Sequence, residues 1–157
     1  MNVTVSYSGL VSPNHRQRVL AAERFIETTS QVNCPVREFW IPGGYAREIS
    51  VPAGITLTGA VHKQESIIIL SAGHMVLFTE DGPLDIRAPF TMNCAPGAKN
   101  IATAIEDCVW TNFFVTDETD PEKIVEVLSE SKASELIGGK DNKQLLNMKK
   151  ETSCLSE

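Results

Sequence analysis

Between Val36 and Thr116 the chain is cut into short runs of β-branched and aromatic residues, each bounded by turn-forming residues. The runs are VREFWI, YAREISV, ITLTGAVH, SIIIL, HMVLFTE, LDIRA, FTMNC and CVWTNFFVT, and they are separated by PGG, PAG, SAG, EDGP and APGAK. About eight such strands at roughly ten-residue spacing bury their apolar faces by stacking on one another, as a sandwich or barrel, with the jelly roll among the options. The clearest hairpin is TEDGPLDI, with Asp81-Gly82 at its tip.

The flanks follow a different period. Ser12-Pro13 is a helix-start signal, and Val19, Leu20, Phe25 and Ile26 recur at helical spacing, so a helix is expected over 12–30, packed on the main body. Asp120 is placed to cap a second helix from Pro121, with Ile124, Val127 and Leu128 on one face. A helical region is expected over 120–148, broken at GGK, and a polar tail over 149–157. The 157 residues are expected to form a single domain, with the strand region over 36–116 as its body.

Charge and composition narrow the partners. With 14 basic and 20 acidic residues the net charge is −6, and no basic run is present for a nucleic-acid backbone. No apolar stretch has the length of a membrane span, so neither a nucleic-acid polymer nor a membrane is expected as a partner. The first residues, MNVTVSYSGL, lack the basic and apolar segments of a secretory signal. Cys34, Cys94, Cys108 and Cys154 are widely spaced, and a cytoplasmic location with reduced thiols is expected. SELIGGK lacks the phosphate-loop pattern.

The strand region resembles the cupin superfamily. Gly54 and Gly73 frame its first motif around His62, and Pro96-Gly97 forms the turn of the second. The stretch from YAREISVPAGITLTGAVHKQESIIILSAGH through APGAKN to EDCVWTNFFVTDETDPEKI, roughly residues 38 to 125, is similar to small single-domain cupins common in tailed-phage genomes. The resemblance implies an all-β, cupin-type jelly-roll barrel with an N-terminal helix and C-terminal helical elements. It also implies a homo-oligomer, a dimer or higher, acting in the host cytoplasm if phage-encoded.

This chain departs from that group where the metal would be held. Ala60, Ser66 and Ile105 stand where the group carries histidine, and Asn100 stands at the second motif's histidine position. A catalytic cupin metal needs about three protein ligands. Here only His62 remains, with Glu65 as the sole carboxylate beside it, so no cofactor is expected; a divalent metal, if bound, would use His62 and Glu65.

Losing charged ligands leaves groups suited to hydrogen-bonding an organic molecule. The candidate ligand-binding residues are His62, Gln64, Ser66 and Asn100, joined by Tyr45 and Arg47 from YAREI and Trp110 from WTNFF. Strand alternation puts Ala60, His62 and Gln64 on one face. Arg47 can clamp a carboxylate or phosphate, or pair with Glu48 or Glu106. Trp40 and Trp110 are also candidate core anchors, and Lys99 in APGAKN a candidate anion contact. His15 and His74 are expected to be exposed. Cys94 and Cys108, in apolar settings, are expected to be inert. No catalytic residue is expected.

The function these readings favour is a phage-type, non-catalytic cupin that binds, and sequesters, a small polar or anionic, nucleotide-like molecule. The alternatives are a metal-dependent isomerase or dioxygenase, and a structural or host-protein-interacting phage protein.

Overall fold

The computed structural model describes residues 13–130. Among them are two helices, α1 (Pro13–Glu27) and α2 (Ile124–Leu128), and nine strands. The strands are β1 (Val36–Ile41), β2 (Gly44–Val51), β3 (Thr56–Thr58), β4 (Ser66–Ala72), β5 (His74–Thr79), β6 (Gly82–Arg87), β7 (Phe90–Cys94), β8 (Ile101–Ala104) and β9 (Cys108–Val115). The helical continuation expected beyond residue 130 and the polar tail lie outside the described residues.

One sheet has the order β1-β2-β9-β4-β7 and the other β3-β8-β5-β6. With β1 set aside as an edge addition, these are the two interleaved four-stranded sheets of a jelly roll, all of whose pairings are antiparallel. The protein therefore has the jelly-roll fold. One expectation is corrected: the two sheets stay separate and face each other instead of closing into a barrel.

Alternation builds the core. In β4, Ser66, Ile68 and Leu70 point inward and are buried, while Ile67 between them is 40% exposed. Met92 and Cys94 of β7 join them from the same sheet, and Met75, Leu77, Ile86, Ala102 and Ala104 meet them from the other. A second, smaller cluster forms where α2 sets Ile124 and Leu128 against Tyr45 and Phe114. Val127, expected on that face, is 43% exposed, because a five-residue helix has room to bury only positions one turn apart.

The second helix begins at Ile124 with Lys123 as its N-cap, where Pro121 and Asp120 were expected, and two strand assignments also differ from expectation. The run ITLTGAVH is a strand only over Thr56–Thr58, where it pairs with β8. From Gly59 the backbone leaves the sheet, and His62 makes an isolated bridge to Ser129. Strand β8 was not among the expected runs: IATA is short and half alanine, a weak strand former, and it is held by β3 and β5 on its two sides.

Helix α1 is held mainly by a polar clamp. Phe25 is 70% exposed, whereas Val19 is buried. The Lys99 ammonium, itself buried, donates to Glu23 Oε1 at 2.9 Å and to the Gly59 carbonyl at 3.2 Å. Thr58 Oγ1 donates to the same Glu23 oxygen at 2.8 Å. Removing one partner of such a pair strands the other charge. Lys99→Met should cost about 3 kcal/mol in urea unfolding, and the double variant Glu23→Gln/Lys99→Met distinctly less.

Gly73 separates β4 from β5. Its φ is +86°, and a Cβ built there would lie 2.2 Å from the Asp107 carbonyl oxygen. Gly82 also has positive φ, +113°, but nothing lies within 4 Å of its would-be Cβ. Gly73→Ala should therefore destabilise by more than about 3 kcal/mol and Gly82→Ala by about 1 kcal/mol, read as midpoints of chemical denaturation.

Candidate functional site

Two cavities meet at one end of the space between the sheets. The inner one, about 60 Å³ open to the centre of a water molecule, runs in among Val51, Ile68, Met75, Leu77 and Ala102. The outer one, about 140 Å³ by the same measure, is walled by Tyr45, Arg47, Ile49 and Phe114, and by Ile124, Val125 and Leu128 of α2. Six residues line both: Leu57, Gly59, Ala60, His62, Trp110 and Asn112. They form the neck between the two spaces.

The neck is shaped by fixed polar contacts. The His62 side chain is 9% exposed, and its Nδ1 lies 3.0 Å from Ser66 Oγ. Its ring meets Phe114 edge-on, with centroids 4.9 Å apart. The backbone around it is tied as well: Gly97 N donates to the His62 carbonyl at 2.8 Å, Lys63 N to Leu128 O at 2.9 Å, and Glu130 N to Val61 O at 2.9 Å. Among the described residues His62 Nε2 has no hydrogen-bond partner. Burial pushes the His62 pKa down to about 4, so the ring is neutral near pH 7. Across the neck, Trp110 Nε1 donates to Asn112 Oδ1 at 3.2 Å.

Arg47 is the single charged side chain lining either cavity among the described residues. Its Nη1 donates to Glu38 Oε1 at 2.9 Å, which also accepts from the Tyr45 hydroxyl at 2.7 Å. Glu38 thus fixes both side chains from behind, in place of the Glu48 or Glu106 pairing considered above. Burial, followed by the hydrogen bond to Glu38, raises the Tyr45 pKa, so Tyr45 remains a neutral phenol. The Arg47 guanidinium lies close enough to the Tyr45 hydroxyl to oppose that rise.

The structure brings together five of the expected ligand-binding side chains: His62, Arg47, Tyr45 and Trp110 in the outer cavity, and Asn100 in the inner one. Ser66 supports His62 from beneath and also hydrogen-bonds the Cys94 thiol. Gln64 is not with them. Because the segment after Gly59 is not a strand, alternation does not apply, and Gln64 Nε2 turns outward to the Val115 carbonyl at 2.6 Å. Glu65 is exposed and shares a surface depression with Gln64, Ile67 and Phe113.

Other expectations change too. His74 is buried, with Nε2 2.9 Å from Asp85 Oδ2, and His15 Nε2 lies 3.3 Å from the Lys99 carbonyl. Lys99 is occupied by Glu23 and Gly59 and is not an anion contact. Glu106 and Asp107 sit in a bend between β8 and β9, where Asp107 accepts from Ala53 N at 2.8 Å and Glu106 pairs with Arg87 at 3.6 Å. Burial raises the thiol pKa values of Cys94, to about 11, and Cys108. Leu57 and the wall from α2 were missed. Asn112 and Phe114, which share strand parity with Trp110 in WTNFF, line the outer cavity with it; nothing local says that α2 will wall that cavity.

The residues present do not fit a cupin-type metal. No group of three or more His, Cys, Asp or Glu side chains among the described residues is arranged to hold one. Beside His62 stand Ala60, Ser66 and Asn100, and Glu65 faces outward.

No family model matches the sequence, and no curated protein is detectably similar to it. Among solved structures, similar ones are cupin-domain proteins. A cupin domain from Bordetella pertussis is 10% identical, with TM-score 0.44, covering 56% of this chain and 98% of that one. A cupin superfamily protein from Desulfitobacterium hafniense is 8% identical, with TM-score 0.48, covering 57% and 83%. Ectoine synthase from P. lautus is 11% identical, with TM-score 0.48, covering 55% and 67%.

The buried neutral His62 makes stability pH-dependent. The unfolded chain takes up a proton near pH 6.5, whereas the folded chain resists it until about pH 4. Protons therefore favour the unfolded state between those values. This contribution is fully present above about pH 6.5, falls by about 3 kcal/mol down to pH 4 and then levels. His62→Gln should flatten that segment of the stability-versus-pH curve.

Proposed function

We propose that this protein is a non-catalytic jelly-roll binding protein that takes a small anionic organic molecule into the outer cavity. The observation that carries this reading is the composition of the wall: Arg47, the lone cation among the described residues there, faces an otherwise neutral cavity of mainly aromatic and aliphatic side chains. Guanidinium donors held in place by a carboxylate from behind suit a carboxylate or phosphate, and the neutral His62 and Asn112 add hydrogen-bonding groups without charge. Among the described residues one histidine and no carboxylate line the two cavities, which speaks against a metal-dependent isomerase or dioxygenase. The resemblance to small phage cupins extends the reading to a phage-encoded oligomer that sequesters a host metabolite in the cytoplasm.

Thermal-shift and native mass spectrometry screens across nucleotides, sugar phosphates and simple carboxylates test this. Binding of at least one anion, weakened about ten-fold or more by Arg47→Gln, is the expected result. Absence of binding across all three classes would reject the reading.

A second reading has one observation in its favour. The outer face of the five-stranded sheet exposes Phe39, Ile41, Ile67 and Val115, which suits docking to a host protein. Under that reading Phe39→Glu abolishes partner capture from infected cells. Under the binding reading it leaves ligand affinity unchanged.

A further inference from the structure

The two cavities differ in chemistry, and the difference carries information about the ligand's shape. The outer one has the guanidinium of Arg47 and the phenol of Tyr45. Past the neck, the inner one is surrounded largely by aliphatic side chains, with the small residues Ala98 and Ala102 among them; Ala102 lies beside Leu77 in one sheet, and Ile68 comes from the other. An apolar space of this kind is poorly solvated and gains from being filled by carbon. The neck does not widen freely. His62 is tied to Ser66, Trp110 to Asn112, and the Gly59 carbonyl to Lys99.

The geometry points to a two-ended ligand: an anionic head, carboxylate or phosphate monoester, held at Arg47, with a short unbranched apolar tail passing between His62 and Trp110 into the inner cavity. This inference rests on the anion-binding reading and narrows it. His62 lines both cavities, and its Nε2, unlike the Nδ1 held by Ser66, has no hydrogen-bond partner among the described residues, so a polar atom between head and tail has a group to meet at the neck. A purely polar ligand leaves the inner space empty. A purely apolar one leaves the Arg47 guanidinium in the outer cavity without an anion.

The full chain is titrated with linear alkanoates from acetate to octanoate, with the matching monoalkyl phosphates and with 1-alkanols, using calorimetry and thermal shift. In at least one anionic series each added methylene should tighten binding about four-fold over two or more consecutive members, until the inner cavity is full. The arm that binds tighter identifies the head. Ala102→Leu, which touches only the inner cavity, should move the optimum to a shorter tail and leave the shortest bound anion within about two-fold of the native affinity. Ala98→Val serves the same purpose if Ala102→Leu fails to fold. Arg47→Gln should weaken the anions about ten-fold and leave the alkanols unchanged.

Anions that bind with no dependence on tail length would overturn the two-ended ligand and leave the anion-binding reading standing. Alkanols that bind as tightly as the anions would overturn the anionic head. If these series and the nucleotides and sugar phosphates above all fail to bind, the underlying reading falls with the inference.

Discussion

The buried ammonium of Lys99 is the contact on which the rest of the candidate site depends. Desolvating a lysine is costly, and the cost is met only because Glu23 and the Gly59 carbonyl converge on it. That convergence fixes three things at once. It docks α1, whose apolar stripe is too thin to do so alone. It sets the point at which the chain leaves β3. It also holds the backbone of Gly59, and so the position of the neck between the cavities. Helix, sheet edge and cavity wall are coupled through one nitrogen atom.

The second constraint is the pairing of a loop with a distant segment. Residues 61–63 exchange backbone hydrogen bonds with 128–130, so α2 closes the outer cavity from the side that neither sheet covers. Phe114, Tyr45, Ile124 and Leu128 then pack as a small core of their own behind it. The site is therefore a composite. Its deep part is the jelly roll's interior and its outer wall is an appended helix, with His62 at the seam.

How much of this was legible in the residues varies with the range of the interaction. Turn glycines and alternating apolar runs are local, and they marked eight of the nine strands; only IATA, too short and too rich in alanine, escaped. Gly73 could be read as a turn, but its reason is the Asp107 carbonyl, far along the chain. Arg47, Tyr45, Trp110 and His62 converge because strand parity and motif position both point inward. Gln64 was misplaced because parity was extended past Gly59, where there is no strand. Nothing local pairs Lys99 with Glu23 or sets α2 against the His62 loop, since the partners are 76 and 63 residues apart.

The late position of α2 in the chain has a consequence for assembly. The strands that line the inner cavity are complete once β9 has been made, but the outer cavity lacks a wall until residues 124–130 have been synthesised and have reached back to the His62 loop. Such a contact closes a long loop and forms slowly compared with the neighbouring hairpins. Until it forms, the faces of Phe114 and Tyr45 stay open to solvent. A nascent chain would therefore acquire its two sheets before its outer cavity gains the α2 wall.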